Sequence, residues 1–235
     1  MNFYIIFTAI AGLAFAQTPV PPKKLAKAAE VAAAAPAPKA APKVESLHYN
    51  VNWPSGLTLG EADLTSSSSE SGLSFSFKVD ASIPGFAVTE SAKSRATTEF
   101  CSTELHKEGV RGKRKLDEKT EFDPAKMKAT RTTGGGGKSE ISTSQCAKDA
   151  LTFVQFVRRE LAVGRLPAQQ KVYYGGGYSV RVQFIGTQKV TIGGESAEAE
   201  KLIATIKGPT SEVTADLYFA KDATRTPVLI QVRTR

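Results

Sequence analysis

Apolar residues alternate with polar or small residues along most of the chain after residue 46, and this period of two constrains the fold most. Alternation of this kind buries one face of a β-sheet and exposes the other. Turns rich in Gly, Ser, Pro and Asp separate the alternating segments, as in hairpins. The segments are 47–53, 56–66, 73–81, 113–123, 178–186, 199–207, 213–220 and 227–235. The sequence therefore predicts a mainly β, antiparallel meander.

One segment has a helical period instead. The stretch AKDALTFVQFVRREL (147–161) begins with Asp149, which can cap a helix, and Gly164 follows as a stop signal. Its apolar stripe consists of Leu151, Val154, Val157 and Leu161, and Phe153 and Phe156 widen it. We expect one helix of about three turns that packs across the sheet. The predicted fold class is a curved antiparallel sheet, a half-barrel or flattened barrel, with one packed α-helix.

The first 16 residues have the features of a signal peptide. Residues 5–14, IIFTAIAGLA, form an apolar core that is too short for a membrane-spanning helix. Ala14, Phe15 and Ala16 give a small-x-small cleavage pattern, which places the cut before Gln17. The sequence therefore predicts a periplasmic or secreted protein that is peripheral rather than transmembrane. The alternative is an unusually apolar start to a cytosolic chain.

Residues 17–46 are rich in Pro, Ala and Lys and contain almost no large apolar side chains. Such a segment cannot offset the entropy lost on ordering. We expect a semi-stiff disordered tether at 17–46, followed by a single β-rich domain at 47–235. The tether either contacts an anionic lipid surface or envelope polymer, or serves only as a spacer.

The charge pattern argues against nucleic-acid binding. The chain carries a formal net charge of +8, and part of it lies in the tether. Arg111, Lys113, Arg114 and Lys115 form the densest basic cluster, but acidic residues follow at once from Asp117. A nucleic-acid surface needs one sign of charge with interleaved aromatic groups. A solvated pair of strands fits this alternation better.

The stretch TTGGGGKSE (132–140) ends like a phosphate-binding loop. That loop requires a glycine where this chain has Thr132, and it requires a helix immediately after the lysine and serine. Strand-like residues follow Lys138 instead, so we interpret the glycines as a hairpin tip and expect no nucleotide. The glycines at 175–177 also precede a strand, which indicates a second hairpin.

The sequence carries no recognisable catalytic or metal-binding motif. Its two histidines, His48 and His106, lie far apart in alternating strands without a second histidine at ligand spacing. Gly-x-Ser-x-Gly and Ser-x-x-Lys are absent from the sequence, although acids on neighbouring strands could still pair as in glycosidases. We therefore expect no cofactor, no metal, no catalytic residues and no enzymatic activity.

The chain has two cysteines, Cys101 and Cys146. In an oxidising compartment they are expected to form a disulfide bond. The alternatives are two free thiols or a redox pair, but a redox pair normally has Cys-x-x-Cys spacing. A bond between them would tie the strand EFCSTEL to the start of the helix and would enclose the glycine-rich hairpin.

Several short motifs, in this order, resemble the exported bacterial family known as domain of unknown function 3108 across about residues 47–235. They are Tyr-x-x-x-Trp-x-x-Gly from Tyr49, Gly-Glu-Ala from Gly60, Lys-Asp-Ala-Leu from Lys148, and Asp222-x-x-Arg225-x-Pro227. The resemblance implies a secreted or periplasmic β-rich domain and brings no catalytic residues with it. The last motif either closes a turn by a local salt bridge or clamps a ligand.

A curved sheet with one helix also resembles the half-barrels of envelope lipoprotein carriers, which is an analogy of fold alone. Our first hypothesis is a non-enzymatic envelope protein that binds a lipid or another hydrophobic group. Candidate lining residues are Phe75, Phe77, Phe184, Leu217 and Phe219, which fit an ordinary core equally well. The alternative is a structural or adaptor module that contacts envelope polymers or proteins, and an unrecognised hydrolase comes third. The hypothesis depends on whether the helix fills the concave side of the sheet.

Overall fold

The structure is a computed structural model that describes residues 43–52, 57–83 and 86–233. The predicted signal peptide and nearly all of the predicted tether lie outside these residues. The described part contains fourteen strands and one helix. The strands are β1 Lys43–Asn52, β2 Thr58–Ser69, β3 Gly72–Ile83, β4 Phe86–Ala96, β5 Ser102–Arg111, β6 Arg114–Asp123, β7 Lys128–Thr133, β8 Lys138–Ser142, β9 Lys148–Asp149, β10 Gln170–Tyr173, β11 Gly177–Ile192, β12 Glu195–Lys207, β13 Glu212–Ala220 and β14 Pro227–Arg233. The helix, α1, is Ala150–Ala162.

The strands form two sheets. The first has the order β1-β2-β3-β4-β5-β6-β7-β8, and the second has the order β14-β13-β12-β11-β10-β9. Consecutive strands pair antiparallel, with β9 and β10 as the parallel exception, so the predicted mainly β meander is confirmed. In the described residues the sheets share no strand and do not close a barrel. Two sheets are present where a single one was expected, and α1 contacts both: Val157 packs in the core of the second sheet, and the Thr152 hydroxyl is hydrogen-bonded to Ser94 and Ser102 of the first.

The helix and its cap are as the sequence predicts. Asp149 adopts an extended backbone, and its Oδ1 accepts the backbone N–H groups of Leu151 at 2.9 Å and Thr152 at 3.1 Å. These bonds satisfy two of the amides that a helix N-terminus leaves without partners. Gly164 follows the helix with φ +72°, the left-handed conformation that glycine adopts most easily.

The larger hydrophobic core lies between α1 and the second sheet. Phe153, Val157 and Leu161 pack against side chains from four strands, and Val157 has no exposed surface. The sheet side of this core consists of Val172, Val180, Val182, Leu202, Ala204, Ala215, Leu217 and Phe219. The helix therefore covers one face of the second sheet and shares a hydrophobic core with it.

The first strand begins earlier than the sequence predicts. Lys43 pairs with Ser68 and Glu45 pairs with Ser66, so residues 43–46 of the predicted tether belong to the first sheet. The reason is a charge partner far away in sequence: the Glu45 carboxylate accepts from Arg158 of α1, with Oε1 2.9 Å from Nη2. Arg158 also donates to the backbone oxygen of Thr224 at 2.6 Å, so one guanidinium joins the helix to β1 and to the turn before β14.

This pair gives a stability that depends on pH. Hydrogen bonds from Arg158 hold the pKa of Glu45 below its ordinary value of 4.5. A carboxyl group whose pKa is lower in the folded state than in the unfolded state stabilises the fold at pH values above its unfolded-state pKa. This contribution is lost as the pH falls through the folded-state pKa. We expect Glu45→Gln to lower the free energy of unfolding most near pH 7. The gap from wild type should then close as the pH falls below about 4.

Urea unfolding at a series of pH values measures this gap. Glu212→Gln is the matched control, since Glu212 is an exposed carboxylate on β13. A gap that stays constant from neutral to acidic pH would contradict the role given to the charge of Glu45.

Candidate functional site

An open groove of about 210 Å³ lies where the starts of β1 and β3 and the end of β2 meet α1. Its walls are mixed: apolar side chains from three elements, three hydroxyls, and two charged groups at the start of β1. The lining residues are Lys43, Val44, Glu45, Ser66, Ser67, Ser68, Leu73, Phe75, Phe100 and Gln155. In size it exceeds the cavity of about 150 Å³ that binds benzene in an engineered protein, but it is smaller than a typical drug-sized pocket.

Phe75 and Phe100 form one wall of the groove, and Phe156 of α1 packs behind Phe100. The rings of Phe75 and Phe100 stack with centroids 6.4 Å apart, and Phe100 meets Phe156 of α1 at 6.2 Å. Phe75 is buried, whereas Phe100 and Phe156 are half-buried. Aromatic pairs at these separations add to the stability that burial alone provides. The cluster therefore gives the groove a firm apolar wall.

Phe100 is held in an uncommon backbone conformation, with φ +59°. A bulky residue rarely adopts a positive φ, and such residues are concentrated at functional sites. A tight turn keeps it there, because the Phe100 amide donates to the oxygen of Thr97 at 3.0 Å and the Thr97 amide donates to the oxygen of Cys101 at 2.9 Å. This turn sets the position of the Phe100 ring in the groove wall.

The expected disulfide bond between Cys101 and Cys146 is present in the structure. It joins the residue after Phe100 to the segment that leads into α1, across 45 positions in the sequence. The backbone amide of Ser102 also donates to the oxygen of Ala147 at 2.8 Å. The groove wall and the start of the helix are thus fastened to each other covalently and by hydrogen bonding.

Two cations lie over the outer faces of the aromatic cluster. The guanidinium of Arg159 is 4.8 Å from the centroid of Phe100 and 5.0 Å from that of Phe156, and the Nζ of Lys148 is 4.4 Å from that of Phe156. Cations attract the negative faces of aromatic rings. Burial lowers the pKa of Lys148, and the positive charge of Arg159 acts in the same direction. These contacts keep the rings ordered.

Gln155 is the polar residue that the helix contributes to the groove. It is only 6% exposed, and in the described part of the chain its Nε2 has no hydrogen-bond partner. A buried amide nitrogen without a partner is rare in folded proteins, since its desolvation is not compensated. Gln155 could not be singled out from the sequence, because one glutamine within an amphipathic helix gives no signal of burial.

Of the five lining residues predicted from the sequence, the structure places one in this groove, Phe75. Leu217 and Phe219 belong to the core beneath α1, and Phe77 is half-buried on β3. Phe184 is 48% exposed on β11. The five do not line one pocket, because Leu217 and Phe219 pack against α1 in the core while Phe184 is exposed on another strand. The groove itself lies beside β1, next to α1, and Phe75 is the one of the five that lines it.

Other sequence motifs have structural roles. The glycines at 134–137 form the turn between β7 and β8, and a strand rather than a helix follows Lys138. Arg111 pairs with Arg114 in a hairpin, as expected for a solvated strand pair. Asp222 Oδ1 accepts the amides of Thr224 and Arg225, whereas the Arg225 guanidinium pairs with Glu200 at 3.0 Å. The predicted local salt bridge is therefore replaced by a turn that the Asp222 carboxylate closes by accepting backbone amides.

Three side chains on β5 and β6 form a surface cluster that has metal-ligand chemistry. His106, Glu108 and Asp117 bring one ligand atom each within 4.8 Å of one another. The two acids are exposed, and His106 lies 3.3 Å from Asp117 in an ordinary hydrogen bond. Exposed acids of this kind commonly occur without an ion, so the cluster is interpreted as a polar surface feature.

The family of the chain follows from comparison with known sequences. Residues 47–235 match the family described as a protein of unknown function, DUF3108. The chain belongs to the DUF3108 family. The match covers both sheets apart from the first residues of β1, and so includes most of the groove. No curated protein matches this DUF3108 chain in sequence.

A solved structure shows a similar fold. It is a β-barrel-like protein of domain of unknown function DUF1849 from Brucella abortus, with a TM-score of 0.56 and 6% sequence identity. The similarity covers 82% of the DUF3108 chain and 90% of the other. At this identity the comparison concerns the fold alone. In the described part of the DUF3108 chain, no helix has both the length and the apolar character needed to cross a membrane.

Proposed function

We propose that this protein is an exported binding module that holds one small apolar group in the groove beside β1. The observation that carries the proposal is the aromatic wall of Phe75 and Phe100, which faces an open space of about 210 Å³. Binding sites for small molecules are typically concave and mostly apolar, with a few polar groups. The groove is smaller than most such sites, but its walls likewise combine apolar side chains with a few polar groups.

The size of the groove limits the ligand. A volume of about 210 Å³ holds one aromatic ring with a short tail or one short chain, by comparison with a cavity of about 150 Å³ for benzene. A lipid with two long acyl chains does not fit within this volume. The proposed ligand is therefore a small hydrophobic group, or the end of a larger molecule that remains outside the groove.

Two features support the exported location in this proposal. The first 16 residues have the pattern of a signal peptide. The bond between Cys101 and Cys146 is of the kind that persists in oxidising compartments. The Glu45 carboxylate accepts a hydrogen bond from Ser66 Oγ at 3.2 Å, but it is already paired with Arg158, so catalysis is not part of the proposal.

Binding of butylbenzene, an uncharged single-ring compound of the size that the groove allows, tests the proposal and is followed by nuclear magnetic resonance titration. Ser68 is exposed at the rim of the groove, so Ser68→Trp adds a large side chain there without disturbing the core. We expect the variant to bind the probe about tenfold more weakly or worse, because the lost apolar contact exceeds about 1.4 kcal/mol.

Ser74→Trp is the matched control, because Ser74 is exposed on β3 and lies outside the groove. It should bind the probe as the wild type does. If neither the probe nor other small apolar compounds bind the wild-type protein, the proposal fails. The adaptor hypothesis would then be the better explanation.

A further inference from the structure

Lys148, on β9 directly before α1, is a buried cation without an acidic partner. The residue is 6% exposed, and among the described residues no carboxylate forms an ion pair with its Nζ. Glu160 acts on its charge only from a distance, because that carboxylate is paired with Arg159 at 3.0 Å and with Arg165 at 2.8 Å. Lysine is almost never buried to this extent unless it is paired. Burial lowers the pKa of Lys148, as expected for an ammonium group without a counter-ion.

The polar contacts of Lys148 point to one neighbour. In the described part of the chain, its Nζ lies 3.6 Å from the Sγ of Cys146 and 3.5 Å from the backbone oxygen of the same residue. That sulfur is bonded to Cys101 in the oxidised protein and therefore carries no charge. A nearby cation stabilises a thiolate. Reduction of the bond would thus give Lys148 the anion that it lacks.

We propose that the bond between Cys101 and Cys146 is a site of thiol–disulfide exchange, which a dithiol opens by attack on Cys101 while Cys146 leaves as the thiolate. Lys148 is the counter-ion of that thiolate. The surroundings of the two sulfurs support this direction. The Sγ of Cys101 lies 3.9 Å from the backbone oxygen of Glu99, which would not stabilise an anion. Cys101 also follows the exposed residues 97–99, whereas the buried residues 147–149 follow Cys146. This inference goes beyond the groove and does not depend on it.

The exchange takes place in two steps. A thiolate of the dithiol attacks the Sγ of Cys101 and forms a new sulfur–sulfur bond, while the old bond breaks and leaves its electron pair on the Sγ of Cys146. The second thiolate of the dithiol then attacks the reagent's own sulfur in this mixed disulfide, and Cys101 leaves. The dithiol loses two electrons and becomes a disulfide. Of its two protons, one goes to the sulfur of Cys101 and the other to solvent, because Cys146 remains a thiolate beside Lys148.

Variants with one cysteine test the role of Lys148. Cys101→Ser leaves the thiol of Cys146 free, and Cys146→Ser leaves the thiol of Cys101 free. We expect the pH midpoint of alkylation by iodoacetamide to be at least about one pH unit lower for Cys146 than for Cys101. Lys148→Met, combined with Cys101→Ser, should remove this difference. Methionine replaces the aliphatic part of the lysine and can pack against the ring of Phe156, so this variant is expected to fold.

Lys171→Met is the matched control, because Lys171 is exposed on β10. Combined with Cys101→Ser, it should leave the lowered midpoint of Cys146 unchanged. Circular dichroism of each variant confirms that the midpoints are compared in folded protein. In urea, where the fold is lost, the midpoints of the two thiols should become nearly equal.

The direction of exchange is measured in the oxidised wild-type protein, which needs no cysteine variant. Brief reaction of the mature chain with excess glutathione, followed by acid quenching and peptide mass spectrometry, locates the mixed disulfide. Glutathione has a single thiol and so cannot complete the second step within one molecule. We expect at least about threefold more glutathione on Cys101 than on Cys146, because the better stabilised thiolate leaves faster. Lys148→Met should lose this preference, and Lys171→Met should keep it.

The lowered midpoint of Cys146, its loss in Lys148→Met and the mixed disulfide on Cys101 together support the inference. An ordinary midpoint for Cys146 would show that Lys148 is not the counter-ion of its thiolate. A lowered midpoint that survives Lys148→Met would assign the effect to another cation, such as Arg159. Glutathione on Cys146 in equal or larger amount would overturn the direction of exchange. If glutathione forms no mixed disulfide with the oxidised protein, the bond is not an exchange site.

Discussion

Asp149→Ala is expected to lower the free energy of unfolding by about 3 to 5 kcal/mol, from the combined loss of a helix cap and several buried hydrogen bonds. Asp149 has no exposed surface. Its Oδ2 accepts from Ser94 at 2.6 Å, from Ser102 at 2.6 Å and from Thr152 at 2.9 Å. Its Oδ1 caps α1. One carboxylate thus joins the helix to β4 and β5. Alanine would leave three buried hydroxyls without the carboxylate oxygen that accepts their hydrogen bonds.

Urea denaturation followed by circular dichroism measures this loss. Asp149→Asn should cost less than Asp149→Ala, because asparagine also caps helices and the hydroxyls can reverse to accept its N–H groups. Asp123→Ala is the control, since Asp123 accepts from the amide of Lys126 in an exposed turn and should contribute far less. A cost for Asp149→Ala as small as that of Asp123→Ala would show that the network is not needed for stability.

Removal of the disulfide bond is expected to have the next largest effect. A double change of Cys101 and Cys146 to alanine should lower the free energy of unfolding by about 2 to 4 kcal/mol, chiefly because the unfolded chain loses a constraint on a long loop. The bond adjoins Phe100, whose positive φ it helps to hold. Binding of butylbenzene should therefore weaken together with stability.

A reductant provides the matched comparison. Dithiothreitol should bring the wild-type protein to the stability of the double variant and should leave that variant unchanged. If reduction destabilises the wild type but leaves probe binding intact at temperatures where it remains folded, Phe100 does not depend on the disulfide. A double variant as stable as the oxidised wild type would contradict the stabilising role of the bond itself.

The elements with strong local signals were predictable from the sequence. The cap of Asp149, the apolar stripe of 150–162 and the stop at Gly164 are all local, and the structure confirms the helix at this position. The hairpins at the two glycine runs follow from equally local rules. The strand β4 was missed because its inward positions are Ala92, Ser94 and Ala96, which carry little hydrophobic signal. Their small size allows the start of α1 to approach the sheet closely.

The groove was not predictable because its parts come from distant segments. Phe100 belongs to a turn, Gln155 to the helix and Glu45 to the end of the supposed tether, and no sequence spacing relates them. Their proximity depends on how far α1 fills the space between the sheets, which is decided by packing rather than by periodicity. The buried partners of Asp149 illustrate the same limit, since Ser94, Ser102 and Thr152 look like ordinary surface residues in the sequence.

The order of the strands also has a consequence for how the chain folds. Each of the first eight strands pairs with its neighbour in sequence, so the first sheet needs only local hairpins and is complete at Ser142. Local contacts form faster than distant ones. A chain that is synthesised or exported with its N-terminus first can therefore form this sheet before α1 becomes available. Cys146 arrives directly afterwards, so oxidation with Cys101 would secure the helix against a preformed surface, and the second sheet would assemble last.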